Sequence, residues 1–190
     1  MRAVFLDRDG VINEEADLVC KPSQLRLIEG SAEAIKMLKE SGFLVIAITN
    51  QPVVARNMCS ESDLAAIHER LKSMLAEKDA RLDAIYSCPH HPDKGYPEEN
   101  TEYKIDCGCR KPKTGMITRA AKDFSIDPRK SFMVGDTTRD IQTGKNAGCR
   151  TILVRTGFAG RDGKFDTRPD YVCENLLEAA KLIIKASEPR

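Results

Sequence analysis

Aromatic side chains are scarce in this sequence: they make up 5% of its 190 residues, and tryptophan is absent. Proteins that bind nucleic acids by stacking bases usually carry more aromatic residues. The charges also balance, because 30 basic and 29 acidic residues give a formal net charge of +1. Without an excess of one sign, no long-range field attracts nucleic acids or anionic membranes. We therefore expect neither among the partners.

Long apolar runs are also missing. None approaches the roughly 20 residues of a membrane-spanning helix, and residues 1–7 lack the apolar stretch of a signal peptide. We expect a cytoplasmic protein, in which the seven cysteines would stay mostly reduced. Four of them are scattered and are predicted to be inert packing residues: Cys20, Cys59, Cys149 and Cys173.

Common nucleotide- and calcium-binding loops are absent as well. The sequence has no G-x-x-x-x-G-K-[ST] and no G-x-G-x-x-G string, which removes the usual support for P-loop hydrolysis and dinucleotide redox chemistry. A calcium loop starting at Asp7 also fails, because Ile12 and Leu18 occupy the positions that require glycine and glutamate.

Short apolar segments alternate with amphipathic segments along the chain. Continuously apolar runs predict strands buried on both faces, and apolar residues at helical spacing predict helices between them. This order predicts one α/β domain over residues 1–190, with a doubly wound, mostly parallel sheet, helices on both faces and no large cap domain. Predicted strands are 3–6, 43–48, 84–87, 131–134, 151–154 and 171–173; predicted helices are 31–41, 60–75, 116–124, 138–147 and 176–185, with Ser31 and Ser60 as N-caps.

Polar residues follow three of the predicted strands. Asp7 and Asp9 follow the first strand, Thr49 the second, and Asp136 and Asp140 the fourth. Ligands of parallel sheets bind at the carboxyl ends of strands, so these side chains should converge. Crowded carboxylates repel one another unless a cation lies among them, and oxygen ligands suit Mg²⁺. Each aspartate alone is equally compatible with a turn or cap residue, but the joint pattern favours a magnesium site.

The remaining cysteines flank an irregular segment, residues 91–106. A structureless loop of this length is uncommon unless it is functional or fixed in place. A tetrahedral structural zinc site would close it, with either His90 or His91 as the fourth ligand. The alternative is that these residues are reduced and bind no metal. The three cysteines are Cys88, Cys107 and Cys109.

In order along residues 3–156, four motifs resemble those of the haloacid dehalogenase-like phosphatases. Within that family the chain is most similar to the D-glycero-D-manno-heptose 1,7-bisphosphate 7-phosphatases and their relatives, the histidinol-phosphatases, through residues 7–10 and the Cys/His segment 88–112. The motifs are Asp7-x-Asp9-Gly10-Val11, Thr49-Asn50-Gln51, Arg110-Lys111-Pro112 and Gly135-Asp136-x-x-x-Asp140.

The resemblance implies a role for each motif residue. Asp7 would be the nucleophile that forms an aspartyl-phosphate, and Asp9 the general acid and base. Mg²⁺ would be held by the Asp7 carboxylate, the Asp9 main-chain carbonyl and Asp136. Thr49 and Lys111 would contact the transferring phosphoryl group.

Further residues are expected around this centre. Asp140 would orient Lys111 or a metal-bound water, and the resemblance favours His90 over His91 as the zinc ligand. His68, in a predicted helix, is expected to be solvated. The substrate-binding candidates are Asn50, Gln51, Arg56 and Arg110, of which the two arginines suit a second phosphate group but are also compatible with a solvated surface.

The implied activity is Mg²⁺-dependent removal of the C7 phosphate of heptose bisphosphate, by a monomer, in the synthesis of nucleotide-activated heptoses. The alternatives are a histidinol-phosphatase and another small sugar-phosphate phosphatase; the long insert and Ala55-Arg56 favour a sugar over histidinol phosphate. A zinc-stapled interaction module would be expected to lack a catalytic residue, and none is missing. Segments 14–19 and 52–57 depart from many heptose relatives, which leaves the exact sugar and its anomer open.

Overall fold

The computed structural model describes residues 1–93, 95 and 99–187. Within them, the apolar segments form six strands and the amphipathic segments form five α-helices. The strands are β1 (Ala3–Leu6), β2 (Leu44–Asn50), β3 (Ala84–Cys88), β4 (Phe132–Gly135), β5 (Arg150–Val154) and β6 (Tyr171–Cys173). The helices are α1 (Ser31–Glu40), α2 (Glu61–Ala76), α3 (Gly115–Phe124), α4 (Thr138–Ala147) and α5 (Leu176–Lys185).

All six strands join one parallel sheet in the order β3-β2-β1-β4-β5-β6. The first strand of the chain is central, since Val4 aligns with Val45 on one side and with Phe132 on the other. Every residue of β1 is buried, as expected for a strand covered on both faces. The predicted parallel α/β sheet is confirmed.

Helices cover the two faces of the sheet in separate groups. Because side chains alternate along a strand, Val4 and Leu6 pack on one face with α1, α2 and α5. Ala3 and Phe5 point to the other face and pack with α3, through Met116 and its neighbours. This two-sided burial leaves the carboxyl edge of the sheet open for a site.

Of the two N-cap residues predicted from the sequence, the structure confirms one and contradicts the other. Ser60 caps α2 as predicted: its hydroxyl accepts from the Asp63 amide at 3.1 Å, and the Asp63 carboxylate accepts from the Ser60 amide at 2.9 Å. The prediction that Ser31 is a cap is wrong, because α1 begins at Ser31 and Gly30 is the cap, with φ +78°. A side chain at Gly30 would crowd Leu177 of α5, so glycine permits the two helices to approach.

The Cys/His insert connects β3 to α3. Residues 94 and 96–98 of this insert, and residues 188–190 of the predicted domain, lie outside the described part of the chain. No large cap domain occurs among the residues that are described. In the same residues, no helix is both long and apolar enough to cross a membrane.

Candidate active site

A cavity of about 370 Å³ opens at the carboxyl edge of the sheet, where β1, β2 and β4 end. Residues that the sequence placed in separate motifs meet on its walls. Asp140, which was predicted to orient Lys111 or a metal-bound water, does not line the cavity and is fully buried. The predicted residues that line the cavity are Asp7, Asp9, Thr49, Asn50, Gln51, Arg56, Arg110, Lys111 and Asp136.

A buried ion-pair network holds Lys111 beside Asp7. The Lys111 amine lies 2.9 Å from Asp7 Oδ1 and 2.6 Å from Asp140 Oδ1. Asp140 Oδ2 accepts from the Thr137 amide at 3.1 Å and from its hydroxyl at 2.5 Å. Burial disfavours the charged amine, but the carboxylates of Asp140 and Asp7 outweigh it and raise the pKa of Lys111. Asp140 thus fixes the lysine as a cation against Asp7.

Asn50, the last residue of β2, fixes the backbone of Lys111. Its Oδ1 accepts from the Lys111 amide at 3.0 Å, and its Nδ2 donates to the Lys111 carbonyl at 3.2 Å. The two bonds attach the insert to the edge of the sheet. Asn50 lines the cavity, but its side chain is occupied with Lys111 in this arrangement.

Three aspartates form what we call the carboxylate cluster: Asp7, Asp136 and Asp140, whose oxygen atoms lie within 4.8 Å of one another. Burial and the charge of Asp140 raise the pKa of Asp7 to about 7. Burial and the charge of Asp7 raise the pKa of Asp136 to about 8. Asp136 Oδ2 accepts from the Phe158 amide at 2.8 Å, whereas its buried Oδ1 has no partner within the described residues. A cation at Oδ1 would satisfy that atom and relieve the repulsion.

Two glycines from distant parts of the chain close around Asp136. Gly10 and Gly157 both have positive φ, +77° and +60°, and a Cβ at either position would overlap Asp136 Oδ2. The Thr156 hydroxyl donates to the Gly10 carbonyl at 2.6 Å and joins the two segments. Only glycine allows the backbone to approach the carboxylate this closely.

The Asp9 carboxylate accepts hydrogen bonds from Arg8, from Gln51 and from Asn13, whose Nδ2 lies 2.8 Å from Oδ1. Arg8 donates from Nε at 3.0 Å and from Nη2 at 2.8 Å to Asp9 Oδ1. Gln51 Nε2 donates at 2.8 Å to both Asp9 Oδ2 and Thr49 Oγ1. Since Thr49 accepts from Gln51, its own hydroxyl hydrogen remains available for an acceptor in the cavity.

Arg8 and His68 were not assigned roles from the sequence. Arg8 is fully buried behind Asp9, and its backbone amide donates to Asp7 Oδ1 at 2.7 Å. The prediction that His68 is solvated is wrong: its buried Nε2 has no partner among the described residues, and burial and the Arg8 charge lower its pKa to about 4. His68 follows the core residue Ile67 on α2, so it borders the apolar face instead of the solvent face.

Four ligand atoms meet in the insert, in what we call the thiol cluster. Its sulfur atoms lie 3.2–3.4 Å apart, and His90 Nδ1 lies 3.4 Å from Cys109 Sγ and 3.7 Å from Cys88 Sγ. A tetrahedron with Zn–S bonds of about 2.3 Å has edges of about 3.8 Å, so one ion fits with small adjustments. The members are Cys88, His90, Cys107 and Cys109.

His91 lies apart from the thiols, on the cavity wall, where its Nδ1 accepts from the Asp93 amide at 3.2 Å. The thiol cluster continues into the site through Arg110, which directly follows Cys109 and donates from Nη1 to the His90 carbonyl at 2.9 Å. Burial and the guanidinium of Arg139 lower the pKa of Arg110. Arg139 and Phe158 also line the cavity, and the sequence analysis indicated neither.

Comparisons with known proteins give the family. The HAD-hydrolase-like family model matches residues 108–179. The D-glycero-beta-D-manno-heptose-1,7-bisphosphate 7-phosphatase of Pasteurella multocida is 42% identical over 184 residues, 96% of each chain. The D-glycero-D-manno-heptose-1,7-bisphosphate 7-phosphatase of Thermosynechococcus vestitus is 40% identical, over 99% of this chain and 98% of that one.

Solved structures indicate the same family as the sequence comparisons. The D,D-heptose 1,7-bisphosphate phosphatase of B. bronchiseptica, solved in complex with magnesium and phosphate, superposes with a TM-score of 0.83 at 34% identity. The alignment covers 98% of this chain and 100% of the other. The resemblance found in the four motifs is therefore confirmed, and the chain belongs to the HAD-like phosphatases.

Proposed function

We propose that this protein is a Mg²⁺-dependent phosphatase that removes the C7 phosphate of D-glycero-D-manno-heptose 1,7-bisphosphate. The observation that carries the proposal is the meeting of Asp7, Thr49, Lys111 and Asp136 on one cavity. Relatives at 40–42% identity over nearly the whole chain bear the name of this activity.

Asp7 is placed to be the nucleophile. Its Oδ1 accepts from the Arg8 amide and the Lys111 amine, whereas its Oδ2 accepts no hydrogen bond within the described residues. We assign attack on phosphorus to Oδ2, which forms an aspartyl-phosphate as the sugar oxygen leaves. Lys111 and the Thr49 hydroxyl stabilise charge that develops on the phosphoryl oxygens.

Asp9 is the acid and base of the proposed reaction. It gives a proton to the leaving sugar oxygen and then takes one from the water that hydrolyses the aspartyl-phosphate. In the substrate-free arrangement Arg8 and Gln51 occupy both carboxylate oxygens. We expect Asp9 to exchange the Gln51 contact for the sugar oxygen when substrate binds.

Residues of the carboxylate cluster fit a magnesium ion. Asp7, Asp136 and the Asp9 carbonyl would hold it, and the unpartnered Asp136 Oδ1 is the atom that most requires a cation. We do not assign Asp140 to the metal, because Lys111 and Thr137 already donate hydrogen bonds to both of its oxygens. When bound, Mg²⁺ neutralises charge on the transferring phosphoryl group.

The thiol cluster fits one structural zinc ion. Four ligand atoms at mutual distances near those of a tetrahedron leave no open coordination position for substrate. Arg110 and Lys111 follow Cys109 directly, so an ion in the thiol cluster would fix both cations of the site.

A phosphate-release assay on purified protein with Mg²⁺ tests the function. The substrates are both anomers of heptose 1,7-bisphosphate, histidinol phosphate and common sugar monophosphates. We expect the highest kcat/KM with heptose bisphosphate. A higher kcat/KM with histidinol phosphate would show that the proposed substrate is wrong.

Three further properties of the protein remain predictions: its location in the cytoplasm, its monomeric state and its single domain.

A further inference from the structure

Arg139 lines the cavity, but the proposed mechanism assigns it no role. It is the second residue of α4 and lies between Asp136 and Asp140 in the sequence. Asp136 is assigned to the metal and Asp140 to Lys111. The Arg139 guanidinium makes no hydrogen bond or ion pair with any side chain of residues 1–93, 95 and 99–187. A half-buried cation without a partner at a cavity requires an explanation.

A second guanidinium shares this wall. Arg110 uses Nη1 for the His90 carbonyl and also lines the cavity. The carboxylate of Asp162, another lining residue, accepts from the Thr138 amide at 2.7 Å and from its hydroxyl at 2.9 Å. Asp162 is therefore engaged with the start of α4. The two guanidinium groups repel each other, and an anion that binds between them would relieve this repulsion.

We propose that Arg139 is a further ligand, beside the already predicted Arg110, of the phosphate group of the substrate that is not transferred to Asp7. The inference rests on the proposed function for its substrate and adds a specificity-determining residue to it. Guanidinium groups present planar donors that match phosphate oxygens, and two of them complement a dianion. The phosphate group that reacts is already assigned to Thr49, Lys111 and the metal, so neither arginine is required to bind it.

The test compares a bisphosphate with a monophosphate in matched proteins. The variants are Arg139→Ala, Arg139→Lys and, as control, Arg168→Ala, which removes an exposed arginine outside the cavity. The substrates are heptose 1,7-bisphosphate and heptose 7-phosphate. Loss of a hydrogen bond between charged groups predicts that Arg139→Ala lowers kcat/KM for the bisphosphate about 10- to 100-fold, mainly through KM.

The monophosphate should change less than about twofold in the same variant, because nothing in it reaches Arg139. Arg139→Lys keeps the charge but not the planar donors, so we expect an intermediate loss. The Arg168→Ala control should match wild type. Because both arginines bind one group, an Arg110→Ala, Arg139→Ala double variant should lose less than the product of the two single losses.

Two results would overturn the assignment: an equal loss with both substrates, or an Arg139→Ala protein that keeps the wild-type preference for the bisphosphate. If the wild-type protein itself shows no preference between the two substrates, the proposed function fails, and this assignment fails with it. The wild-type ratio of kcat/KM values thus separates the two failures. Zinc content and unfolding temperature, measured on each variant, identify any loss caused by misfolding.

Discussion

The carboxylate cluster and the thiol cluster both gather ligand atoms within 4.8 Å of one another, but the chain holds them differently. Asp7 and Asp136 follow β1 and β4, which are neighbouring strands, so the sheet itself sets their separation. In the thiol cluster only Cys88 belongs to a strand, and its partners lie on an irregular loop. A metal ion would therefore supply charge to the first cluster and structure to the second.

The largest predicted effect follows from a substitution in the carboxylate cluster, which should lower turnover without changing stability. Asp7→Asn keeps the shape of the side chain but removes the attacking charge, so kcat should fall by about four orders of magnitude or more. Because the sheet positions residue 7, we expect the unfolding temperature and the zinc content to stay near wild type. Near-normal activity in carefully purified Asp7→Asn would exclude the aspartyl-phosphate mechanism.

A thiol ligand should affect structure and activity together. Cys107→Ser should reduce zinc from about one ion per chain to well below that, and lower the free energy of unfolding by at least about 2 kcal/mol. Displacement of Lys111 by about 1 Å would reduce kcat/KM about 100-fold. Elemental analysis, thermal unfolding and phosphate release measure the three quantities.

Cys59→Ser, a half-buried cysteine outside the thiol cluster, is the matched control and should retain zinc. Wild-type protein that is active without zinc would contradict the zinc assignment. Zinc that persists in Cys107→Ser would show that the ligand set is different.

The smallest effect concerns pH and the carboxylate cluster. The pKa of Asp7 is raised to about 7 and that of Asp136 to about 8, so the folded state retains protons that the unfolded state has already released. Stability must then decrease as pH rises through these values. Between pH 7 and 8.5, above the ordinary histidine pKa, we expect the unfolding free energy without Mg²⁺ to fall by about 1–3 kcal/mol.

Saturating Mg²⁺ should remove most of this decrease, because it binds the ionised carboxylates. Asp136→Asn should flatten the decrease, since it deletes one titrating group and one neighbouring charge. The measurement is denaturant unfolding at several pH values in Mg²⁺-free buffer that leaves zinc bound. A stability that stays constant or rises over this pH range would contradict the raised pKa values of the two carboxyls.

The sequence predicted the parts of the site that local pattern determines. Buried parallel strands have their carboxyl ends at one edge, so the order of residues alone places Asp7, Thr49 and Asp136 together. The thiol cluster followed from the spacing of its residues, and the choice of His90 needed the family resemblance. Lys111 also depended on that resemblance, because it follows a loop instead of a strand.

Contacts between distant segments were beyond prediction. Arg8 is adjacent to two motif aspartates, but its complete burial and its proximity to His68 of α2 depend on how distant segments pack. The helical pattern predicted which face of α2 is apolar, but it did not show how far burial extends beyond that face. His68 lies at the border of the apolar face, so its burial could not be predicted from the pattern. Arg139 could not be singled out from the sequence, since its proposed role depends on its position near Arg110 in the same cavity.

The close approach of Gly10 and Gly157 to Asp136 has a consequence for the protein as it is made. Asp7, the proposed nucleophile, is synthesised early, but the backbone cannot close around Asp136 before Thr156 and Gly157 have been synthesised. The backbone around Asp136 therefore closes only after β1 to β5 have all been synthesised. We expect a chain that is cut before residue 156 to contain Asp7 and Lys111 but to lack the segment that closes around Asp136.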